Sequence, residues 1–69
     1  MNKEQLIKMD PYMLLSIINM KLRNEFNNLE DFCYDINIEN EFIIEKLEEI
    51  GYKYDKELNQ FVSRDYAEK

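Results

Sequence analysis

The sequence contains no histidine and no tryptophan, and it has one cysteine, one glycine and one proline among 69 residues. Histidine is the commonest general base and metal ligand, so its absence disfavours catalysis and metal binding. A single cysteine, Cys33, cannot form a disulfide within these residues. One glycine is too few for a glycine-rich phosphate-binding loop. We therefore expect a non-catalytic protein with no cofactor and no bound metal.

Long apolar runs are also missing. The longest, residues 12–15, is far shorter than the roughly 20 residues of a membrane-spanning helix. The first residues lack an apolar run of signal-peptide length. Small secreted domains usually carry several cysteines, and this chain has one. These features predict a cytoplasmic protein that does not enter a membrane.

The length suits one domain, residues 1–69. Asp10-Pro11 is typical of a helix N-cap followed by the first helical residue, which predicts a helix over residues 11–26. Asn28 is placed to cap a second helix over residues 29–36. A third helix is expected over residues 40–50, with Gly51 as the left-handed residue that ends it.

In the last third of the chain, the apolar residues no longer recur at helical spacing. Tyr52, Tyr54, Phe61 and Val62 are strand-forming residues on either side of a polar segment, which predicts a short β-hairpin. A lone two-stranded hairpin is marginally stable, so it must pack on the helices. We expect residues 1–9 and 63–69 to fray.

Residues 29–52 have the pattern of a helix-turn-helix motif. Phe32 is placed for burial, and Cys33 beside it is a small residue where another helix must approach closely. Asn37 occupies the turn, since asparagine tolerates the left-handed conformation. Any pair of packed helices with a tight turn could show this periodicity. The fold that we predict is mostly α: a small three-helix helix-turn-helix (winged-helix-like) domain with a short C-terminal β-hairpin.

Three segments of the chain are long, unusual strings. They read DPYMLLSIINMKLR, LEDFCYDINI and EKLEEIGYKYDKELNQF. Through these segments, residues 10–62 resemble a family of short uncharacterised bacterial proteins, the domain-of-unknown-function family numbered 4250. The resemblance implies no activity and no catalytic residues, because the family has none assigned.

Acidic residues concentrate on the two motif helices. Residues 29–49 contain eight acidic residues and one basic residue, Lys46, so their net charge is −7, whereas the whole chain has −6. DNA-binding proteins obtain most of their non-specific affinity from lysine and arginine against phosphates. The helices that would have to touch DNA therefore repel it. We expect no nucleic-acid partner, and we interpret the acidic run as a solvated face.

The first predicted helix has more apolar surface than one core requires. At 100° per residue, only the sector with Ser16, Asn19 and Arg23 is consistently polar. A surface helix usually has one apolar stripe somewhat wider than about 100°. This helix is therefore either buried centrally, or it docks a second apolar face on another molecule.

For such a second face, the contact residues that we predict are Met13, Ile17 and Met20. Methionine adapts to irregular surfaces, and twofold dimers are the commonest oligomers. Tyrosines are candidates for the rim of the interface, with burial in the core as the alternative. They are Tyr12, Tyr34, Tyr52, Tyr54 and Tyr66.

These observations favour a small cytoplasmic protein-interaction or self-association module, whose partner is another protein or a second copy of the chain. The alternative is a nucleic-acid-binding domain of the transcription-regulator type. The helix-turn-helix pattern favours that alternative, and the charge opposes it.

Overall fold

The structure, a computed structural model, describes residues 2–67. The elements follow in this order: α1 (Lys3–Lys8), α2 (Pro11–Asn24), α3 (Leu29–Ile36), α4 (Asn40–Glu48), β1 (Tyr52–Asp55), β2 (Gln60–Ser63) and α5 (Arg64–Ala67). The prediction of a small, mostly α domain with a C-terminal β-hairpin is confirmed. The winged-helix classification stays a prediction.

The helix boundaries follow from local capping. The Oδ2 atom of Asp10 accepts hydrogen bonds from the backbone N–H groups of Tyr12 (2.9 Å) and Met13 (3.2 Å), so the predicted N-cap of α2 is confirmed. Asn28 caps α3 by accepting from the backbone N–H of Asp31 at 2.8 Å. Asn37, at φ 58°, is left-handed at the end of α3.

Two predicted helices end earlier than expected. The helix expected over residues 11–26 ends at Asn24, and the helix expected over residues 40–50 ends at Glu48. The backbone N–H groups of Glu25 and Phe26 both donate to the carbonyl of Lys21, so the regular ladder stops there. Gly51, at φ 82°, then turns the chain from α4 into β1.

Residues 3–8, which lie in the segment expected to fray, form helix α1. Asn2 and Gln5 form a reciprocal capping box, with hydrogen bonds of 2.9 and 3.1 Å. The Nζ atom of Lys46 on α4 donates to the carbonyl of Ile7 at 2.8 Å. Leu6 is fully buried in the core. Residue 1 lies outside the described residues.

The predicted fraying of residues 63–69 also differs from the structure over its described part. Ser63 belongs to β2, and Arg64–Ala67 form α5. The backbone N–H of Arg64 donates to the carbonyl of Gly51 at 2.7 Å, which joins the two ends of the hairpin. Residues 68–69 lie outside the described residues.

One apolar core joins the helices to the hairpin. Helix α2 contributes Leu14, Ile18 and Leu22, which repeat at the spacing of one helical face. The other buried side chains come from α1, α3, α4 and β2, and from the α3–α4 turn. The full set is Leu6, Leu14, Ile18, Leu22, Leu29, Phe32, Cys33, Ile38, Ile43, Leu47 and Phe61.

The hairpin docks on α2 through the side chain of Asn19. Strands β1 and β2 pair antiparallel, with Tyr54 opposite Phe61. The Nδ2 atom of Asn19 donates to the carbonyl of Phe61 at 3.0 Å, and its Oδ1 atom accepts from the Phe61 backbone N–H at 2.7 Å. The Nε2 atom of Gln60 donates to the backbone carbonyl of Asn19 at 2.9 Å. The amide of Asn19 therefore satisfies the outer edge of β2 as a neighbouring strand would.

A second polar contact fixes the hairpin turn to the end of α2. Asn59, at φ 54°, donates through Nδ2 to the carbonyls of Leu22 and Phe26, both at 2.9 Å. The hydroxyl of Tyr54 donates to Asn59 Oδ1 at 2.7 Å and accepts from the backbone N–H of Leu29 at 3.2 Å. The C-terminal carbonyls of α2 and the start of α3 are thus held by the same hairpin.

Replacing Asn19 with alanine will destabilise the domain, because the backbone N–H and carbonyl of Phe61 lose their partners. We expect the free energy of unfolding to fall by about 1–3 kcal/mol, measured by urea denaturation followed by circular dichroism. The control is Asn24→Ala at the exposed end of the same helix, with an expected change within about 0.5 kcal/mol. Equal losses in the two variants would contradict the docking role.

Candidate functional site

The outward side of α2 carries the three predicted contact residues. Met13 is 59% exposed and Met20 is 48% exposed, while Ile17 is half-buried between them. At 100° per residue these side chains lie within about 60° of each other. They lie on a different side of α2 from Ile18 and Leu22, which are buried. We call Met13, Ile17 and Met20 the α2 stripe.

Helix α1 adds a wall to one end of this stripe. Met13 and Ile17 line an open groove of about 770 Å³, together with Gln5, Lys8, Met9 and Asp10. Apolar surface makes up most of its lining. Met20 lies beyond the groove, two turns of helix along from Met13. The structure therefore brings two of the three predicted residues into one concavity and leaves the third as a protruding side chain.

The contribution of α1 to this groove was not predicted from the sequence, because residues 1–9 were expected to fray. The signal that could have found α1 is the spacing of Asn2 and Gln5, a capping-box pattern three residues apart. Leu6, the only fully buried residue of α1, gives that pattern an apolar anchor.

The predicted rim tyrosines divide into two groups. Tyr12 is 60% exposed beside the α2 stripe, as a rim residue should be. Tyr34 is 90% exposed but lies on α3 among acidic residues. Tyr52 and Tyr54 are partly buried against the core, so the alternative of core packing holds for them. The side chain of Tyr66 lies outside the described residues.

A second surface, on α3 and α4, is strongly acidic. All of its carboxylates are exposed. Its one basic residue, Lys46, donates to the carbonyl of Ile7 and lies 5.9 Å from the ring centre of Phe42. That ammonium is therefore committed to holding α1. We call this the acidic surface: Glu30, Asp31, Asp35, Glu39, Glu41, Glu45, Glu48 and Glu49.

The acidic surface contains a shallow depression. It measures about 370 Å³, and its walls include Tyr34, Glu39 and Glu41. Among residues 2–67, no group of three or more His, Cys, Asp and Glu side chains is arranged to hold a metal ion. Within the same range, no helix has the length and apolar character needed to cross a membrane.

Cys33 is a core residue. Its side chain is buried, and it packs in the same cluster as Phe32 and Ile43. Burial raises the pKa of the thiol from 9.0 to about 11, and the nearby carboxylate of Glu41 adds to the increase. The thiolate is the nucleophilic form of cysteine, so this environment suppresses its reactivity.

The fold and these surfaces define a small, mostly helical domain with a C-terminal hairpin and an exposed apolar helix face. Residues 8–61 match the sequence profile of a family described as Domain of unknown function (DUF4250), and the chain belongs to this family. The resemblance expected from residues 10–62 is thereby confirmed. Comparisons with curated proteins and with solved structures found no match.

The Cys33 thiol will be almost unreactive in the folded protein. Ellman's reagent at pH 8 should modify it quickly in denaturant and only slowly in native buffer, because the thiol is buried and protonated. Since the folded pKa (about 11) exceeds the unfolded value (9.0), stability from the neutral thiol is complete below pH 9 and declines towards pH 11. In Cys33→Ala this component of the alkaline decline should be absent. Rapid native modification at pH 8 would contradict the assignment.

Proposed function

We propose that this chain is a non-catalytic protein-interaction module, which docks another protein or a second copy of itself through the α2 stripe. The observation that carries the proposal is the exposure of Met13 and Met20 on a helix whose opposite face already fills the core. An apolar face that has no role in the domain's own packing is typical of a contact surface. The acidic surface then faces water or a basic partner.

Docking through this stripe has a physical driving force. Burying a methionine side chain that was exposed contributes about 1.5–3 kcal/mol. The flexible thioether chain lets methionine fit partner surfaces of different shape. Tyr12 beside the stripe supplies an apolar ring with a polar hydroxyl, which suits an interface rim. The groove between α1 and α2 is a shallow, open recess where a partner side chain can rest.

The chemistry of the side chains supports a role without catalysis. Histidine is absent, and the only thiol is buried. Among the side chains that the structure describes, no polar or charged residue is buried. A general acid or base needs a desolvated, positioned group, and solvated carboxylates do not supply one. We place the protein in the cytoplasm on its single cysteine.

To test the docking, Met13 is replaced by the photo-crosslinking amino acid p-benzoylphenylalanine and the full chain is irradiated inside the cells that express it. We expect a discrete adduct with another protein or with the chain itself. Met20→Lys should reduce its yield roughly tenfold or more, because loss of about 1.5–3 kcal/mol of burial weakens binding by that factor.

The matched control places the same photo-crosslinker at Leu58, an exposed apolar residue in the hairpin turn. That position should give no discrete adduct. Equal adducts from residues 13 and 58, or an adduct that Met20→Lys leaves unchanged, would contradict docking through the α2 stripe.

For the alternative of nucleic-acid binding we expect a negative result. Random duplex DNA titrated with the protein at about 20 mM salt should show no change in fluorescence anisotropy up to about 100 µM protein, a range in which non-specific DNA binders bind. The repulsion follows from the acidic surface, whose one lysine is occupied by α1. Binding that weakens as salt rises would overturn this expectation.

A further inference from the structure

We propose that the α2 stripe binds the α2 stripe of a second copy of this chain, with the two helices antiparallel about a twofold axis near residues 16–17. This inference rests on the proposed function and names the occupant of its surface. It follows from the order of exposed residues along α2. When a second copy of α2 runs in the opposite direction, this order sets complementary residues against each other.

The first complementarity is between methionines. In a twofold antiparallel pair, a residue that precedes the axis by a given number of positions meets the residue of the second copy that follows the axis by the same number. Met13 and Met20 are placed symmetrically about residues 16–17, so each faces the other across the pair. Met20 of the second copy then enters the groove lined by Met9, Met13 and Ile17. The arrangement is isologous, since each copy supplies one protruding methionine and one groove.

The flanks of the stripe are complementary in charge. At 100° per residue, Asp10 and Lys21 lie on one flank and Tyr12 and Arg23 on the other. A twofold antiparallel pair sets each flank against the same flank of the second copy, in reversed order. Asp10 then meets Lys21, and Tyr12 meets Arg23. In both pairs the Cα atoms are offset by about 3 Å along the axis, within reach of long side chains.

These flank contacts have recognised energetics. Asp10 with Lys21 is an opposite-charge pair, and Arg23 over Tyr12 is a cation–π contact. The Nζ atom of Lys21 lies 2.8 Å from Oε2 of Glu25, the residue just after α2, and a new acidic neighbour can join this pair. A parallel twofold pair would instead set each flank against the other flank at the same height, which brings Lys21 against Arg23 and aligns the helix dipoles. The charges of α2 therefore select the antiparallel direction.

The acidic surface also fits this arrangement. The inner face of α2 packs against α3 and α4, so those helices lie behind it with respect to the stripe. In the antiparallel pair the two acidic surfaces point away from each other, and their repulsion stays small at physiological salt. The contact is one helix wide and about 21 Å long. That is smaller than the roughly 800 Å² per partner of a stable interface, so the association is concentration-dependent.

Disulfide trapping tests both the partner and the direction. Met13→Cys and Met20→Cys chains, one of them isotope-labelled, are mixed at about 1 mM in a glutathione redox buffer, and the disulfides are identified by mass spectrometry. Cys33 stays in place because it is buried. We expect the mixed disulfide between positions 13 and 20 to exceed either homodisulfide about tenfold. In the antiparallel register the like positions lie about 10 Å apart along the axis, too far for a disulfide.

Two further variants calibrate the experiment. Ser16→Cys, next to the twofold axis, should form a homodisulfide readily. Tyr34→Cys, on the acidic surface, reports random collisions and should form little. Circular dichroism of each reduced variant identifies any variant that fails to fold. The mixed disulfide between positions 13 and 20 and the homodisulfide of Ser16→Cys each report the register independently.

The outcomes separate the two proposals. Homodisulfides at positions 13 and 20 in excess of the mixed species would overturn the antiparallel register. If every stripe variant forms no more disulfide than Tyr34→Cys does, the proposal that a second copy occupies the stripe would be overturned. If the photo-adduct at residue 13 then persists as a complex with another protein, docking through the stripe stands without self-association. If that photo-adduct is absent as well, both proposals fail.

Discussion

Two hydrogen bonds between the amide of Asn19 and the backbone of Phe61 connect the hairpin to α2. This connection decides which sides of α2 are covered. With β2 held along one side and α3 and α4 packed on the inner face, the remaining side is the one that carries Met13 and Met20. The exposure of the stripe is thus a consequence of how the hairpin docks. A hairpin of two four-residue strands needs such support, because two strands alone are marginally stable in water.

Lys46 attaches α1 to α4, as Asn19 attaches the hairpin to α2. Its ammonium is the one positive charge of the acidic helices, and it binds the C-terminal end of α1 at the carbonyl of Ile7. Cations are favourable at helix C-termini, where the last carbonyls lack partners. The contact holds α1 beside α2, and together these helices form the groove. It also leaves the acidic surface without an available base, which strengthens its repulsion of phosphates.

Small size explains why α2 has two apolar faces. A chain of 69 residues has few side chains with which to build a core, and Leu14, Ile18 and Leu22 supply the centre of it from one face of one helix. The second face lies outside the buried core cluster. Small domains often gain stability by association, because their surface is large relative to their volume. An antiparallel α2 pair would cover that surface in both copies at once.

Local signals in the sequence determined α2, α3, α4 and the hairpin. Asp10-Pro11, Asn28, Asn37 and Gly51 each act within a few residues, and the apolar periodicity between them needs no knowledge of distant contacts. The candidate stripe at Met13, Ile17 and Met20 followed from the same periodicity. So did the burial of Cys33.

Tertiary structure decided what local signals cannot encode. Helix α1 has six residues, too few to persist alone, and it forms because Leu6 enters the core and Lys46 binds its last turn. Ser16, Asn19 and Arg23 formed one polar sector in the sequence, yet of these three only Asn19 hydrogen-bonds the hairpin, 42 residues further along the chain. Which face of α2 is buried depends on that long-range contact, because periodicity identifies apolar faces but carries no information about what packs against them.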